Sequence, residues 1–397
     1  MADDAAGGGT NRGSRFAWRL VAIAVVLACY AALKLLWQAS PELPPELGNP
    51  ADRTFDGESS ALERTVVVPT LDTPIPKGKN VIWCSSFQVA WNHLRDDVIG
   101  EPIRVANAEA VAERLNKATQ SEADLAPGSY YAAAGYVRDG IVGRIQREMA
   151  RRFPGGHRPD FSDVRQDTVI VAYAYLLGHV RFTIPFFDNP GHLSFWSMVA
   201  PVVDVHSFGL GEEHAYAYRG LRRQVSVLYT PDERESLEGQ VIKPKEFVVD
   251  PCKDSSPNQI VLALLEPRTT LAETLACVEA RVREGHGEHC LGPNDVLLIP
   301  NMAWRVEHRF RELEGSDKVI LNRKAEGTYI QKAWQVVLFR LDRSGAELES
   351  EAKVLMTPAP SLYIFDRPFL VYMKKRGAQH PFFVMWVANA ELLSKWK

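Results

Sequence analysis

The residue types able to do chemistry crowd into one short run, His286-Gly287-Glu288-His289-Cys290. Imidazole, carboxylate and thiolate are metal ligands, and a Cys–His pair can serve nucleophilic catalysis. The spacing argues against both. These groups are adjacent in a glycine-bearing loop, whereas a structural zinc site is closed by ligand pairs well separated in sequence. The run is read as holding no metal, with an envelope hydrolase built on it kept only as a third alternative. Ser85 and Ser86 beside Cys84 form a polar patch on a helix and lack the Gly-x-Ser-x-Gly frame of a nucleophile elbow. No phosphate loop and no His-Glu-x-x-His motif occurs. His192, His206 and His214 are scattered and read as surface residues. No cofactor and no catalytic residue is expected, and the chain is not expected to be an enzyme. Cys84, Cys252, Cys277 and Cys290 allow three full pairings. The expected bridge is Cys277 to Cys290, stapling the end of a helix to the following loop. Cys84, on an apolar helical face, is expected to stay a free core thiol.

With side-chain catalysis set aside, the stretch from Leu338 to Val371 stands out. It begins as an apolar strand and breaks at Ser344-Gly345. A mixed segment with Pro358 and Pro360 follows, and then a second strand rich in β-formers. The linker between them is too long for a hairpin turn. An unstructured loop of that length in a compact domain is usually functional or disordered.

The elements that hold this loop come from a chain of 397 residues, 46% hydrophobic and 24% charged, with a net charge of -3. That balance, with no basic run and no interleaved aromatic–Arg platform, excludes a nucleic-acid surface. Residues 1–14 are small, polar and Gly-rich and read as a disordered cytoplasmic tail. Residues 15–37 carry Arg15 and Arg19, an apolar run from Leu20 to Leu33, then Lys34 and Leu35-Leu36-Trp37. Trp18 and Trp37 bracket it about 28 Å apart as a helix, and the Arg bias points the N-terminus inward. The stretch reads as a transmembrane signal-anchor. A cleaved signal peptide is disfavoured because Leu36-Trp37-Gln38-Ala39 lacks a small residue three before the cut. A Pro-rich linker, 38–62, would then lift the domain 63–397 outside the cytoplasm, giving a single-pass membrane protein whose partner is the membrane. Disulfides are permitted there.

Along the domain, Val66-Val67-Val68 reads as a strand. Asn80 to Val98 reads as a helix, with Trp83, Phe87, Ala90, Trp91 and Leu94 at helical spacing. Helices are also expected over Ala108 to Ala118 and Ser129 to Phe153. Asp167 to Leu177 is almost wholly apolar and reads as a strand buried on both faces. Further strands are expected at Val225–Tyr229, Phe247–Val249, Gln259–Leu265, Asp295–Pro300, Trp334–Leu341 and Pro381–Ala388. Thr269 or Thr270 should cap a helix to about Arg283. Trp304 to Leu313 is open between strand and helix. Helices first and many strands after make the class α+β.

These stretches resemble, in order, the serpin family. Asn80 to Ala90 resembles the family's Asn-Val-aromatic stretch opening a buried central helix. Tyr136-Val137 with Gly143-Arg144-Ile145 is similar to the helix lying across its main sheet. Asp167-Thr168 through Gly178 resembles the central strand that follows. Gln259–Leu265 with the Leu271–Arg283 helix, Asp295–Pro300, Phe365–Leu370 and Pro381–Val387 match later elements. Phe339 to Glu347 resembles the strand entering the reactive loop, with Gly345 and Glu347 matching its Gly-x-Glu hinge. The set covers Asn80 to the C-terminus. Departures are Cys84 and Phe87 where the family's shutter has serines, Ala172 for a buried Asn, and Val180 for a Trp. Several dozen residues are also missing before Ser129, which should remove strands at one edge of the main sheet.

The resemblance implies a serpin-like fold, with helices packed on a large mixed sheet plus smaller sheets. It also implies a protease inhibitor whose exposed reactive-centre loop is bait for a serine or cysteine protease. After cleavage the loop would insert as a strand. Period two then sends Ala346, Leu348, Ser350 and Ala352 inward and Glu347, Glu349 and Glu351 to solvent. One unpaired buried carboxylate would cost several kcal/mol, so a single register is allowed. The scissile zone is Lys353, Leu355, Met356 and Thr357. The alternative is a non-inhibitory serpin-fold binding or structural protein whose loop never inserts.

Overall fold

The computed structural model describes residues 53–154, 158–162, 164, 166, 168–197, 199–214, 218–231, 242–285, 288–344 and 361–396. In chain order the elements are β1 (Phe55–Glu58), β2 (Thr65–Val67), β3 (Asn80–Cys84), α1 (Ser85–His93), α2 (Glu109–Lys117), β4 (Tyr130–Tyr136), α3 (Ile141–Arg152), β5 (Ile170–Leu176), β6 (Phe187–Asp188), β7 (Leu193–Ser197), β8 (Ala200–Val205) and β9 (Ser207–Leu210). There follow α4 (Arg219–Gln224), β10 (Ser226–Tyr229), β11 (Phe247–Asp250), β12 (Asn258–Leu264), α5 (Leu271–Glu284), β13 (Val296–Pro300), β14 (Met302–Arg309), β15 (Trp334–Leu341), β16 (Leu362–Ile364), β17 (Phe369–Lys375) and β18 (Phe383–Val387). The class is α+β, as the order of helices and strands predicts.

A seven-stranded sheet runs β10-β11-β12-β17-β18-β3-β2, antiparallel except for β2 beside β3. Its central strands are mostly apolar because both faces are covered. Val81, Trp83, Val261, Leu370 and Trp386 pack under α5 through Leu271, Leu275 and Val278. Ile82, Leu262, Val371 and Met385 face the main core with Trp304, Val306, Val337 and Phe339. The latter come from a three-stranded sheet, β1-β14-β15. A four-stranded sheet, β16-β13-β9-β6, and two antiparallel pairs, β4-β5 and β7-β8, complete the set. In the four-stranded sheet Gly209, at φ +153°, sits where a Cβ would lie 1.7 Å from Leu297 O. Thr270 caps α5 by accepting from Glu273 N, as expected.

Two expected helices are corrected. Asn80–Cys84 is a strand, and the helix begins only at Ser85. Alternation sends Val81 and Trp83 to one apolar layer and Ile82 to the other, so pairing with β18 and β2 buries both faces. In Ser129–Phe153 the first part, Tyr130–Tyr136, is a strand in register with Leu176–Ile170. Gly140, at φ +76°, then turns the chain into α3. Of Trp304–Leu313, left open between strand and helix, the part to Arg309 is strand, in β14 and paired with β15, and Arg311–Leu313 is a turn.

The single-pass membrane location does not stand. No helix among the described residues is long and apolar enough to cross a membrane. The stretch 15–37 lies outside the described residues. Its unbroken apolar part, Leu20 to Leu33, is 14 residues. That is about 21 Å as a helix against a hydrocarbon core of about 30 Å.

The early strand β3 is tied to the chain's end by a buried amide knot. Asn80 Oδ1 accepts from the backbone N–H of Ala388 and Asn389 (2.8 and 3.0 Å). Its Nδ2 donates to Thr65 Oγ1 and Asn389 Oδ1, both at 3.1 Å. Asn80→Ala orphans two buried N–H groups, and the expected loss is about 3 kcal/mol of unfolding free energy in urea. A loss below about 1 kcal/mol would show the knot to be dispensable.

Candidate functional site: two open strand edges over a buried helix

Helix α1 is the floor. Ser85, Gln88, Val89 and Trp91 are its buried residues. Polar side chains pin it from below: Gln88 Nε2 donates to Leu115 O (2.8 Å), Trp91 Nε1 to Asn116 Oδ1 (3.0 Å) and Asn92 Nδ2 to Gln120 O (3.0 Å). Above it lie β4, β5 and β15.

The strands over this floor belong to two different sheets. β5 pairs only with β4, and β15 only with β14, so among the described residues each keeps one unpaired edge. Segments flanking the two strands touch. Tyr136, opposite Ile170, donates its hydroxyl to Lys324 O, ten residues before β15, at 3.0 Å. Past their ends Phe186 N donates to Arg343 O (3.2 Å) and Arg343 Nη1 to Asp188 (2.8 Å). Unpaired N–H and C=O groups along an edge are a template for another strand.

The inner faces are apolar. Val337, Phe339 and Leu341 of β15 share the main core with Ile170, Ala174 and Leu176 of β5. The outer face of β5 is covered by α3, where Val171, Tyr173 and Tyr175 meet Ile141, Ile145, Met149 and Phe153. Burial raises the phenol pKa values of Tyr173 and Tyr175. The expectation of a strand buried on both faces is met only at Val171, because β5 has a neighbour on one edge alone.

One polar contact joins β15 to the floor. Gln335, 4% exposed, donates from Nε2 to Cys84 O (3.0 Å) and Ser86 Oγ (2.7 Å). Its Oε1 is buried without a partner among the described residues. An amide flip would set oxygen against the Cys84 carbonyl, so the orientation is fixed. Opposite Gln335 in the ladder stands His308, hydrogen-bonded through Nδ1 to Ser59 Oγ at 2.7 Å. His308 and Phe87 both pack on the Phe310 ring, at 4.7 and 4.2 Å. Burial pushes the His308 pKa down to about 4, with Glu314 pulling the other way. The Cys84 thiol is enclosed here, and burial raises its pKa. None of Gln335, His308 and Phe310 was singled out by sequence reasoning. The available signal was Gln335 itself, a polar residue in phase with Val337, Phe339 and Leu341.

The hinge residues Gly345, Ala346, Glu347, Leu348, Ser350 and Ala352 and the scissile zone Lys353, Leu355, Met356 and Thr357 lie outside the described residues. The described chain leaves β15 at Ser344, whose N–H donates to Asp342 Oδ1 (2.8 Å). It resumes at Ser361, whose N–H donates to Asp295 Oδ1 (2.8 Å). Segment 345–360 therefore links β15 to β16, which pairs with β13 in another sheet. The Cys277–Cys290 bridge is corrected, since both thiols are free. Cys277 lies against Arg268 Nη2 (3.4 Å), while Cys290 lies between Lys253 Nζ and Arg223 O, each at 3.5 Å. The fold gives them separate neighbours. Cys84 is free as expected, but it ends strand β3 instead of lying on a helical face, and it is part-buried. In the run 286–290, His286 and Gly287 lie outside the described residues, and His289 pairs through its backbone with Val227. Among the described residues no group of three metal-ligating side chains occurs.

No protein-family model and no curated protein matches this sequence. Similar solved structures include mouse protein Z-dependent protease inhibitor (12% identity, 78% of this chain and 91% of that one, TM-score 0.47). Human thyroxine-binding globulin is similar over 79% of this chain and 92% of its own (12% identity, TM-score 0.45). Serpin48 of the insect Tenebrio molitor is similar over 78% and 92% (12% identity, TM-score 0.42). At that distance, the reading of this chain rests on its own strand order and edges.

His308 gives the site a pH dependence. Its folded pKa lies below the ordinary 6.5. The unfolded chain therefore takes up the proton first as pH falls, and stability drops between about 6.5 and 4. Discounted for partial exposure, the loss is about 1–2 kcal/mol. Urea unfolding of His308→Gln at pH 7.5 and 5 should show a smaller difference than the parent; an equal difference would place the titration elsewhere.

Proposed function

We propose that this chain is a serpin-like protein that offers segment 345–360 to a serine or cysteine protease and takes its N-terminal half into the sheet between β5 and β15 after cleavage. The observation that carries this is the pair of open edges above one helix, with β15 running directly into the segment. Gly345 is the pivot. Ala346, Leu348, Ser350 and Ala352 would face α1, and Glu347, Glu349 and Glu351 would face solvent. The motifs of the resemblance support the reading by position: Asn80–Cys84 opens α1, Gly143-Arg144-Ile145 lies in the helix over β4 and β5, and β4 has no further strand beyond it among the described residues. A third alternative, a hydrolase at His289 and Cys290, has no support in their contacts.

A second reading keeps the same fold with a loop that stays outside, serving binding rather than inhibition. It is favoured by the floor. Phe87 packs on Phe310, and among the described residues Gln335 is the only side chain hydrogen-bonding β15 to α1, at Ser86 Oγ, which leaves the rest of that contact apolar.

Nicking the segment with a serine protease separates the two. Insertion predicts a rise in melting temperature of about 10 °C or more, together with an SDS-stable complex with the protease. Ala346→Asp should abolish the rise by placing a carboxylate on the inward face. An unchanged melting temperature after complete nicking would rule insertion out and leave the binding reading.

A further inference from the structure

Helix α3 packs on β4 and β5 through Ile141, Ile145 and Met149. At about 100° per residue its opposite crest is formed by Gly143, Arg147 and Ala150, with Arg144 and Arg151 along one flank. Arg144, Arg147, Ala150 and Arg151 are exposed. The helix holds four arginines and one glutamate, a local charge of +3 (4 − 1), in a chain whose net charge is -3.

The helix dipole does not account for this. It favours Arg151 and Arg152 in the last turn. It disfavours Arg144, which sits in a first turn that has no acidic residue and no side-chain cap. Arg144 donates to Ala134 O (3.2 Å), and neither it nor Arg147 forms an ion pair among the described residues. The one carboxylate present shows what the surface accepts. Glu148 is held by Arg151 Nη2 (2.7 Å) and Arg152 Nε (3.0 Å), and these bonds hold its pKa down at about 2.

We propose that the outer face of α3 docks an acidic peptide segment of a partner protein. Arg144, Arg147 and the Nη1 of Arg151, whose Nε and Nη2 already hold Glu148, take its carboxylates. Its backbone lies over Ala150, and the Arg147 guanidinium, folded to 3.2 Å from where a Gly143 Cβ would stand, swings out to meet it. The ridge from Arg144 to Arg151 rises about 10 Å. Carboxylates on alternate residues of an extended chain repeat every 6–7 Å or so, so two or three fit. A short peptide suits the charge balance better than a long polyanion. Screening confines the attraction to about 8 Å at physiological salt, and beyond the ridge the net negative chain repels. The helix itself carries no aromatic residue on which bases could stack. The inference is independent of the loop reading.

Fluorescence anisotropy of the full chain with labelled hexaglutamate tests it. Arg147→Glu with Arg151→Glu should weaken binding about tenfold or more, while Arg311→Glu, exposed elsewhere, should change it less than about twofold. Arg147→Gln with Arg151→Gln gives the same readout should the reversed pair fail to fold. No binding of hexaglutamate, equal weakening by Arg311→Glu, or tighter binding of heparin or oligothymidylate at matched charge would each overturn it.

Discussion

Helix α1, nine residues long, has to seat strands that do not seat each other. A strand normally satisfies its backbone on both edges or meets water on one. Here β5 and β15, among the described residues, each pair along one edge only, and both rest on α1. The two half-sheets hold their places by side-chain burial on a common floor and by a few contacts at their ends. What anchors α1 anchors both halves, and Gln88, Trp91 and Asn92 hydrogen-bond it from beneath to residues in and after α2.

That arrangement divides the molecule by rigidity of construction. The seven-stranded sheet is closed on both faces and locked at the Asn80–Asn389 knot, which joins a strand near the domain's start to its last residues. The pair β4-β5 has its own apolar cluster with α3 on the outside, and reaches the main core through its inner face. Gln335 ties β15 to Ser86 of α1 and to the Cys84 carbonyl through Nε2, and its oxygen has no partner among the described residues.

Much of this was legible in the residues. Apolar runs rich in β-formers predicted β12, β13, β15 and β18, and β12 and β18 are apolar on both sides because their sheet is covered on both faces. Thr270 and the apolar stripe of Leu271, Leu275 and Val278 predicted α5. Asn80–Cys84 and Tyr130–Tyr136 were misjudged for a shared reason. Short apolar segments fit both periods, and alanines favour helix until a partner strand supplies a ladder. The bridge between Cys277 and Cys290 looked plausible from separation in sequence alone, yet pairing depends on where the helix and the following loop turn the thiols.

The sequence by itself determined the α+β class, the buried strands, the capped helix and the alternation of Ala346, Leu348, Ser350 and Ala352 against three glutamates. Each is a local pattern, set by period, propensity or capping. Tertiary structure decided that β5 and β15 belong to different sheets above one helix, that His308 stands half-buried opposite Gln335, and that each thiol has its own neighbours. Those facts depend on contacts between residues far apart in the chain, such as Gln335 with Cys84 and Phe186 with Arg343, and no period in one stretch encodes them.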